Sequence, residues 1–301
     1  MIPDTKPHST TIAFAVAGAG IASFAIMDAL MKGLAIALGA YNALFWRFLA
    51  LFGIAAMVFF ARRTEWPSRA AMRIHLIRGV MSAAMALLFF WGLARVPLAQ
   101  GVALSFVAPL FALYLAALIL KERIGRQAVL ASMLGFAGVL VILAGQEAAA
   151  LGPEAFRGAL AILASAALYA WNIILMRQQA LVARPVEIAF FMSLITGGCF
   201  LAAAPFLAVP PPAAALPEIA AAAVLAYVSL LLMSWAYARA EAQYLAPVEY
   251  TAFVWAALLG FVIFAEPVRP LTLLGAAMIV IACVVAARRR PVSIAAMEAA
   301  L

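Results

Sequence analysis

The chain has 301 residues, of which 69% are hydrophobic and 11% are charged, and its mean hydropathy is +1.13. A water-soluble fold of this length cannot bury so much apolar surface, so the composition predicts an integral membrane protein. The net charge of +8 is spread over short loops with no soluble domain to carry it, which argues against a nucleic-acid partner.

Ten apolar stretches follow one another along the chain, and most reach the roughly 20 residues that cross a bilayer as a helix. They cover residues 12–38, 41–61, 70–94, 97–120, 126–144, 155–180, 187–208, 217–238, 245–265 and 270–287. Each is continuously apolar, without the alternation of a transmembrane barrel. The predicted fold class is therefore an all-α integral membrane protein with ten transmembrane helices.

The basic residues predict how the helices are oriented. With the N-terminus in the cytoplasm, fourteen Lys and Arg residues fall in inner loops and tails, against three (Arg95, Arg157 and Arg269) in outer loops. This is the positive-inside distribution, so both termini are expected in the cytoplasm. Residues 1–11 form a polar tail, and the first stretch is too long for a cleaved signal peptide.

The sequence offers no sign of catalysis. It contains no CxxC, HExxH, Walker-type or GxSxG motif. Cys199 and Cys283 fall inside apolar stretches, where buried free thiols are the expected state. His8 is interpreted as a solvated tail residue and His75 as a membrane-edge side chain. No catalytic residue, metal or cofactor is expected, and the chain is not predicted to be an enzyme.

The chain contains an internal repeat. Glu122 and Glu266 follow the fourth and ninth stretches and close segments with near-matching ends. At nearly the same offset Lys32 matches Arg177, each near the end of the first helix of its unit. Each unit then has five helices, and because five is odd the second unit crosses in the opposite sense. Two inverted five-helix repeats around a central site are typical of alternating-access transporters.

Several short sequences resemble the EamA-type members of the drug/metabolite transporter superfamily. They are Trp46-Arg47-Phe48, Ala108-Pro109-Leu110-Phe111, Leu120-Lys121-Glu122-Arg123, Trp171-Asn172, Leu245-Ala246-Pro247 and Ala265-Glu266-Pro267. The resemblance covers nearly the whole chain. It divides the chain into a cytoplasmic tail (1–11), a first repeat (12–146), a second, inverted repeat (155–288) and a cytoplasmic tail (289–301).

Within the superfamily the chain is most similar to the YddG-type exporters of aromatic and other neutral amino acids. This resemblance implies a multi-pass carrier of the bacterial inner membrane that exports amino acids such as phenylalanine, tryptophan, tyrosine, methionine and threonine by alternating access. The alternative substrates are other small solutes of the superfamily, such as a nucleoside, an organic acid or a cationic drug. Small residues in the fifth and tenth helices permit close contact within one chain or between two copies in a homodimer.

Polar and aromatic side chains within the stretches are the candidates to line a substrate cavity, because polar groups inside a bilayer usually face the bundle interior. The candidates are Asp28, Lys32, Ser82, Met85, Phe89, Tyr169, Trp171, Asn172, Tyr227, Ser234, Thr251 and Trp255. The alternative for these residues is a bond between helices or a packing role. As a group they suit a neutral, partly apolar solute better than a sugar phosphate.

Intramembrane charges and one proline are the sharper signals. Asp28 and Lys32 lie four residues apart, so they either pair with each other or meet the two ends of a zwitterion, or Asp28 takes part in proton coupling. Arg47 either reaches the outer membrane surface or attracts a carboxylate. Glu122 and Glu266 are expected to cap loops or lock gates. The candidates for gate or hinge residues are Arg47, Arg78, Pro109, which should kink the fourth helix, and Glu249.

Overall fold

The computed structural model describes residues 7–108, 110, 111, 115, 126–147, 152–237, 248 and 250–287. Within these residues ten α helices and one short 3₁₀ turn, Ala213–Ala215, occur and no strand is present, which confirms the predicted all-α fold. The helices are α1 (Pro7–Leu38), α2 (Ala40–Ala61), α3 (Arg69–Leu93), α4 (Leu98–Ser105), α5 (Arg126–Glu147), α6 (Gly152–Val182), α7 (Pro185–Leu207), α8 (Leu216–Tyr237), α9 (Thr251–Phe264) and α10 (Pro270–Ala287).

Local sequence signals explain where several helices begin. Gly39 alone separates α1 from α2, and its φ of +79° is a conformation that glycine adopts without steric cost. The side chain of Ser68 accepts a hydrogen bond from the backbone N–H of Ala71 at 3.1 Å and so caps the start of α3. Pro185 occupies the first turn of α7, where its missing amide hydrogen has no cost.

The fourth helix is interrupted, whereas the sequence predicted one span over residues 97–120 with a kink in its middle. α4 ends at Ser105, and a turn at Phe106 and Val107 precedes helical residues at 108, 110, 111 and 115. In an uninterrupted helix the carbonyl of Ser105 would accept a hydrogen bond from residue 109, and a proline has no amide hydrogen to donate. Pro109 itself lies outside the described residues, so its role as a hinge stays a prediction.

Several helices of the described part are apolar enough for a bilayer. Five segments are long enough to cross a membrane by length and composition: Ile12–Leu38, Ala40–Ala61, Arg69–Leu93, Pro185–Leu207 and Ala213–Met233. The shorter apolar helical segments are Met133–Gly145, Thr251–Phe264 and Pro270–Ala282. The outer faces carry exposed apolar side chains such as Met57 (74% exposed) and Phe206 (87% exposed), as expected for a surface that faces lipid.

The two halves of the chain pack against each other along their whole length. α1 packs on α8, α2 on α7, α3 on α6 and α5 on α10, so the main partner of each of these helices belongs to the other half. Further contacts join α3 to α7, α2 to α8, α1 to α9 and α4 to α6. Replacing each helix by the one five positions away converts this set of pairs into itself. The pairing is what two related five-helix units would produce.

Glycines allow the closest approaches between the halves. A Cβ atom added at Gly138 on α5 would lie 2.7 Å from the carbonyl oxygen of Gly275 on α10, and one at Gly275 would lie 2.5 Å from that of Gly138. Gly92 and Gly158 make the same reciprocal contact between α3 and α6, at 2.5 and 2.9 Å. Small residues of the fifth and tenth helices are therefore used for packing within one chain, one of the two arrangements that the sequence predicted.

Candidate functional site

One polar site lies where the first half meets the end of α9. Lys32 is only 2% exposed; its Nζ donates a hydrogen bond to the carbonyl oxygen of Val96 at 2.7 Å and forms an ion pair with Oε1 of Glu266. The other carboxylate oxygen of Glu266 accepts a hydrogen bond from the backbone N–H of Leu98 at 2.8 Å. Because Glu266 belongs to the second half and the other three residues to the first, this site, the Lys32 ion pair, joins the halves.

The backbone at the end of α9 positions the carboxylate. Ala265 adopts a left-handed conformation with φ of +53°, and the N–H of Glu266 donates to the carbonyl of Gly260 at 3.0 Å. This turn directs Glu266 back toward the bundle. A Cβ added at Gly260 would lie 3.2 Å from Oε2 of Glu266, so the glycine leaves the space that the carboxylate needs.

Asp28 and Arg47 form a buried charge pair that hydrogen bonds satisfy only in part. Each is 6% exposed, and both Oδ1 of Asp28 and Nε of Arg47 are buried with no hydrogen-bond partner among the described residues. The two charges interact electrostatically, but no salt bridge within the described residues joins Asp28 to Arg47 or to Lys32. The ion pair between Asp28 and Lys32 that the sequence allowed is therefore wrong, because Glu266 takes the ammonium group.

The guanidinium group of Arg47 lies inside the bundle. Its Nη1 is 3.7 Å from the sulfur of Met27, and its central carbon lies 4.3 Å from the ring centroid of Phe48 and 5.8 Å from that of Phe90. These aromatic faces stabilise the cation. The expectation that Arg47 reaches the membrane surface is wrong. From its place seven residues into α2, the Cα atom is about 10 Å from the start of the helix.

A second polar site joins α3 to α6. Nε of Arg78 donates a hydrogen bond to Oδ1 of Asn172 at 2.7 Å, and Nη1 of Arg78 donates to Oε1 of Gln179. Nδ2 of Asn172 donates to the hydroxyl oxygen of Ser82 at 3.1 Å and lies 3.8 Å from the sulfur of Met85. The structure thus brings together Ser82, Met85 and Asn172, which the sequence proposed for one cavity, and places Arg78 among them.

The hydrogen bonds continue from Gln179 to α7. Nε2 of Gln179 is bonded to Nδ1 of His75, and Nε2 of His75 lies 3.0 Å from Oε1 of Glu187. The ring of Phe191 stacks on the imidazole at 5.2 Å. His75 and Gln179 are fully buried and Glu187 is 8% exposed, so the interpretation of His75 as a membrane-edge side chain is wrong. Together these hydrogen bonds form one polar network, which comprises Ser82, Asn172, Arg78, Gln179, His75 and Glu187.

Three members of this network, His75, Gln179 and Glu187, were not among the site residues predicted from the sequence. Two signals were available: His75 continues the spacing of three and four residues that relates Arg78 to Ser82, and Glu187 lies within the first turn of an apolar helix. The sequence does not show which residues bond to each other, because the partners of His75 are more than 100 residues away on two other helices.

The remaining cavity candidates occupy varied positions. Phe89 packs edge-on against Phe90 at 5.0 Å, and the hydroxyl of Thr251 donates locally to the carbonyl of Val248 at 2.6 Å. Tyr227 and Trp255 are half-buried, whereas Tyr169 and Trp171 are 41% and 44% exposed. Outside the described residues lie the predicted site residues Pro109, Glu122 and Glu249 and the side chain of Ser234.

Comparison with known proteins identifies the relatives of this chain. The sequence model of the EamA-like transporter family matches residues 10–144 and 156–288. A crystal structure of a protein that is 20% identical aligns with a TM-score of 0.62 over 95% of this chain and 100% of that chain, which shows a shared fold.

Three of the similar proteins carry different cargoes. The pseudopaline exporter of Pseudomonas aeruginosa is 28% identical over 278 residues, which is 89% of this chain and 93% of the relative. A riboflavin transporter of Rhizobium johnstonii is 31% identical over 281 residues (87% and 85%), and an S-adenosylmethionine uptake transporter of Rickettsia bellii is 26% identical over 259 residues (84% and 85%). These relatives agree with the predicted resemblance to EamA-type transporters, but they do not point to exporters of aromatic amino acids in particular.

Proposed function

Because the chain belongs to the EamA-like transporter family, it is a multi-pass membrane transporter of a small molecule, and we propose that its substrate is a zwitterion, a neutral amino acid in the first instance. We further propose that it exports this substrate across the bacterial inner membrane. The observation that carries the proposal is the buried charge pair of Asp28 and Arg47, which leaves one polar atom unsatisfied on each side.

A zwitterion would satisfy both members of the charge pair. Leaving a buried polar group without a hydrogen bond costs about 1–3 kcal/mol, and more for a charged group. A substrate ammonium group can donate to Oδ1 of Asp28, and a substrate carboxylate can accept from Nε of Arg47. Met27, Phe48 and Phe90 surround the guanidinium and provide an apolar wall for the substrate side chain.

The two connections between the halves support alternating access. The Lys32 ion pair lies just beyond the end of α3, whereas His75 and Glu187 of the polar network lie within about two turns of the starts of α3 and α7. A carrier that opens in turn to each side needs a breakable connection at each end. In the predicted topology the Lys32 ion pair faces outward and the polar network faces the cytoplasm, with the charge pair between them.

Riboflavin is the second candidate substrate, because one relative with 31% identity transports it. The riboflavin molecule carries neither an ammonium group nor a carboxylate. Its neutral groups can hydrogen-bond to Asp28 and Arg47 but cannot form the charge-assisted bonds that the two ends of a zwitterion form with these side chains, which favours the zwitterion.

A counterflow assay in liposomes tests the substrate class. Purified protein is reconstituted into vesicles loaded with unlabelled phenylalanine, and uptake of radiolabelled phenylalanine is measured against three competitors: phenylalanine, phenethylamine, which lacks the carboxylate, and 3-phenylpropionate, which lacks the ammonium group. Wild type should prefer phenylalanine to both analogues by at least about tenfold, because each analogue loses one charged contact.

Variants of the charge pair then assign the two contacts. Arg47→Gln should remove the preference over phenethylamine, and Asp28→Asn should remove the preference over 3-phenylpropionate. The controls Arg157→Gln and Glu218→Gln change exposed residues of the same charge as Arg47 and Asp28, and they should leave the preferences unchanged. Counterflow of riboflavin in place of phenylalanine, unaffected by Asp28→Asn and Arg47→Gln, would overturn the proposal in favour of the second candidate.

A further inference from the structure

We propose that His75 is a proton-binding site, and that a proton bound there separates α3 from α6 at the end of the bundle where α3 begins. The inference comes from the hydrogen-bond chain Arg78–Gln179–His75–Glu187, which connects the two halves of the protein and is almost fully buried. This inference does not depend on which substrate is carried; it requires only that the chain is a transporter.

The bonding pattern fixes the protonation state that this closed arrangement requires. The guanidinium of Arg78 has only N–H donors, so the group of Gln179 that faces it must be the carbonyl oxygen. The amide nitrogen of Gln179 therefore faces Nδ1 of His75 and donates to it. Nδ1 is then an acceptor without a hydrogen. The imidazole is neutral, and its single hydrogen is on Nε2, which donates to the carboxylate of Glu187.

A second proton on His75 is incompatible with this chain of bonds. It would occupy Nδ1 and place an N–H donor against the amide donor of Gln179. Rotation of the amide by half a turn would restore that bond, but it would then point the amide nitrogen at the donors of Arg78. In either arrangement one hydrogen bond between α3 and α6 is lost. The step is a simple proton uptake from water, in which imidazole becomes imidazolium and no other covalent bond changes.

Glu187 stabilises the imidazolium once it forms. Among the described side chains, its carboxylate is the charged group in direct contact with the ring. Arg78 acts through Gln179, and α6 contributes the non-titrating amide of Gln179. The other charged side chains described near this end are exposed and lie on α3 or in the adjoining loops: Arg62, Arg63, Glu65, Arg69, Arg73 and Arg184. On α1, Asp28 and Lys32 lie toward the opposite end, since Lys32 contacts Val96, beyond the end of α3.

Linkage sets the direction of the effect. The closed end requires neutral His75. In the open end α3 has moved away from α6 while His75 keeps its contact with Glu187, so the open end accepts the imidazolium; closure therefore releases a proton and acidification favours opening. Loss of one hydrogen bond between the halves should shift the closed-to-open equilibrium by about fivefold to tenfold.

The conformational test is independent of the substrate. Spin labels are attached at Ala70→Cys on α3 and Val182→Cys on α6, after Cys199 and Cys283 have been replaced by Ser, and the distance between the labels is measured by pulsed electron resonance from pH 5 to pH 8. In wild type the population with the longer distance should grow about fivefold to tenfold as the pH falls.

Two variants separate proton binding from packing. His75→Gln can accept from Gln179 through its amide oxygen and donate to Glu187 through its amide nitrogen, so it keeps both bonds but does not titrate. It should stay closed at every pH. Glu187→Gln removes the charge that stabilises the imidazolium and should move the transition to lower pH. A His75→Gln protein that opens with the wild-type pH profile would overturn the proposal, as would a wild-type distance that does not change with pH.

Transport measurements keep the two proposals distinguishable. Phenylalanine counterflow should depend on pH in wild type and lose that dependence in His75→Gln. If phenylalanine counterflow occurs and the distance between the spin labels does not depend on pH, the proton site is contradicted and the substrate proposal is retained. A pH-dependent distance without counterflow of phenylalanine sinks the amino-acid substrate and leaves the proton site standing.

Discussion

At the scale of single residues, the decisive feature is the choice of partner for Lys32. The sequence places Asp28 one helical turn away, yet the ammonium group bonds to Glu266 and to the carbonyl of Val96. The turn at Ala265 makes this possible because it brings the carboxylate back to the bundle. As a consequence, Oδ1 of Asp28 has no hydrogen-bond partner among the described residues.

Removing either member of the Lys32 ion pair should lower stability, and removing both should cost less than the sum. Glu266→Gln takes the charge from the partner of an ammonium group that is 2% exposed, so its effect should be about 2–4 kcal/mol. Lys32→Met leaves a carboxylate that is 22% exposed and still bonded to Leu98, so its effect should be smaller, about 1–2 kcal/mol.

Thermal unfolding in detergent measures these differences as shifts in Tm. The control is Glu154→Gln. It weakens two surface ion pairs of Glu154 (56% exposed), with Arg157 (67% exposed) and with Arg95 (30% exposed), and should leave the Tm nearly unchanged. Strictly additive effects of Lys32→Met and Glu266→Gln would show that the two side chains do not interact.

At the scale of helices, the close contact between α5 and α10 depends on glycines, which have no side chain. The backbones approach so closely at Gly138 and Gly275 that a single added carbon would meet a carbonyl oxygen. Such contacts allow dispersion forces to hold apolar helices together in lipid, where the hydrophobic effect does not act between them.

Gly275→Ala should therefore separate α5 from α10 and lower the Tm by several degrees, corresponding to about 1–3 kcal/mol. The matched control is Gly53→Ala on α2, where an added Cβ has no atom within 4 Å. Because alanine has a higher helix propensity than glycine, the control should be neutral or slightly stabilising. An equal loss of stability in the two variants would show that the close contact is not what matters.

The interrupted fourth helix shows what helix-scale sequence reasoning can and cannot reach. Hydropathy located all ten helices, because each apolar stretch is long enough for the signal to dominate. Composition could not reveal that α4 ends at Ser105, since the residues that follow are as apolar as those before. Only the chemistry of Pro109 predicted a disturbance in this region. It predicted that the helix would bend, whereas in the structure the helix ends and a turn follows.

At the scale of the whole molecule, the halves are interdependent. Each main helix pair, such as α1 with α8 or α3 with α6, takes one member from each half. A separate half would therefore expose packing faces and a buried charge, that of Lys32, which the other half covers in the complete protein.

Residues 1–149 or 150–301 produced alone should be degraded or aggregate, because neither half can satisfy its buried polar groups. The two fragments produced together in one cell should co-purify as a complex with measurable substrate counterflow. Fluorescence-detected size-exclusion chromatography of tagged fragments provides the readout. A single fragment that purifies as a stable, monodisperse species would contradict the interdependence of the halves.

The candidate site was predictable in part from residue type. Asp28, Arg47, Arg78, Ser82, Met85 and Asn172 were selected because polar groups inside a bilayer rarely occur without a role. Their partners were not predictable, since Lys32 bonds to a residue 234 positions away and His75 to residues more than 100 positions away. Pairing at such separations is set by how the helices assemble, and helix spacing within one segment does not contain that information.

The partner of Lys32 also has a consequence for biosynthesis. The chain must be extended by 234 residues after Lys32 before Glu266 is made. At a synthesis rate of about 5–20 residues per second, the lysine enters the membrane about 10–50 s before its counter-ion exists. During that interval the translocon, water or lipid headgroups must solvate the ammonium group. The unpaired ammonium group thus makes the partly synthesised chain a target for degradation before folding is complete. Variants that delay the insertion of α9 should be degraded by membrane quality control even when their folded structure would be stable.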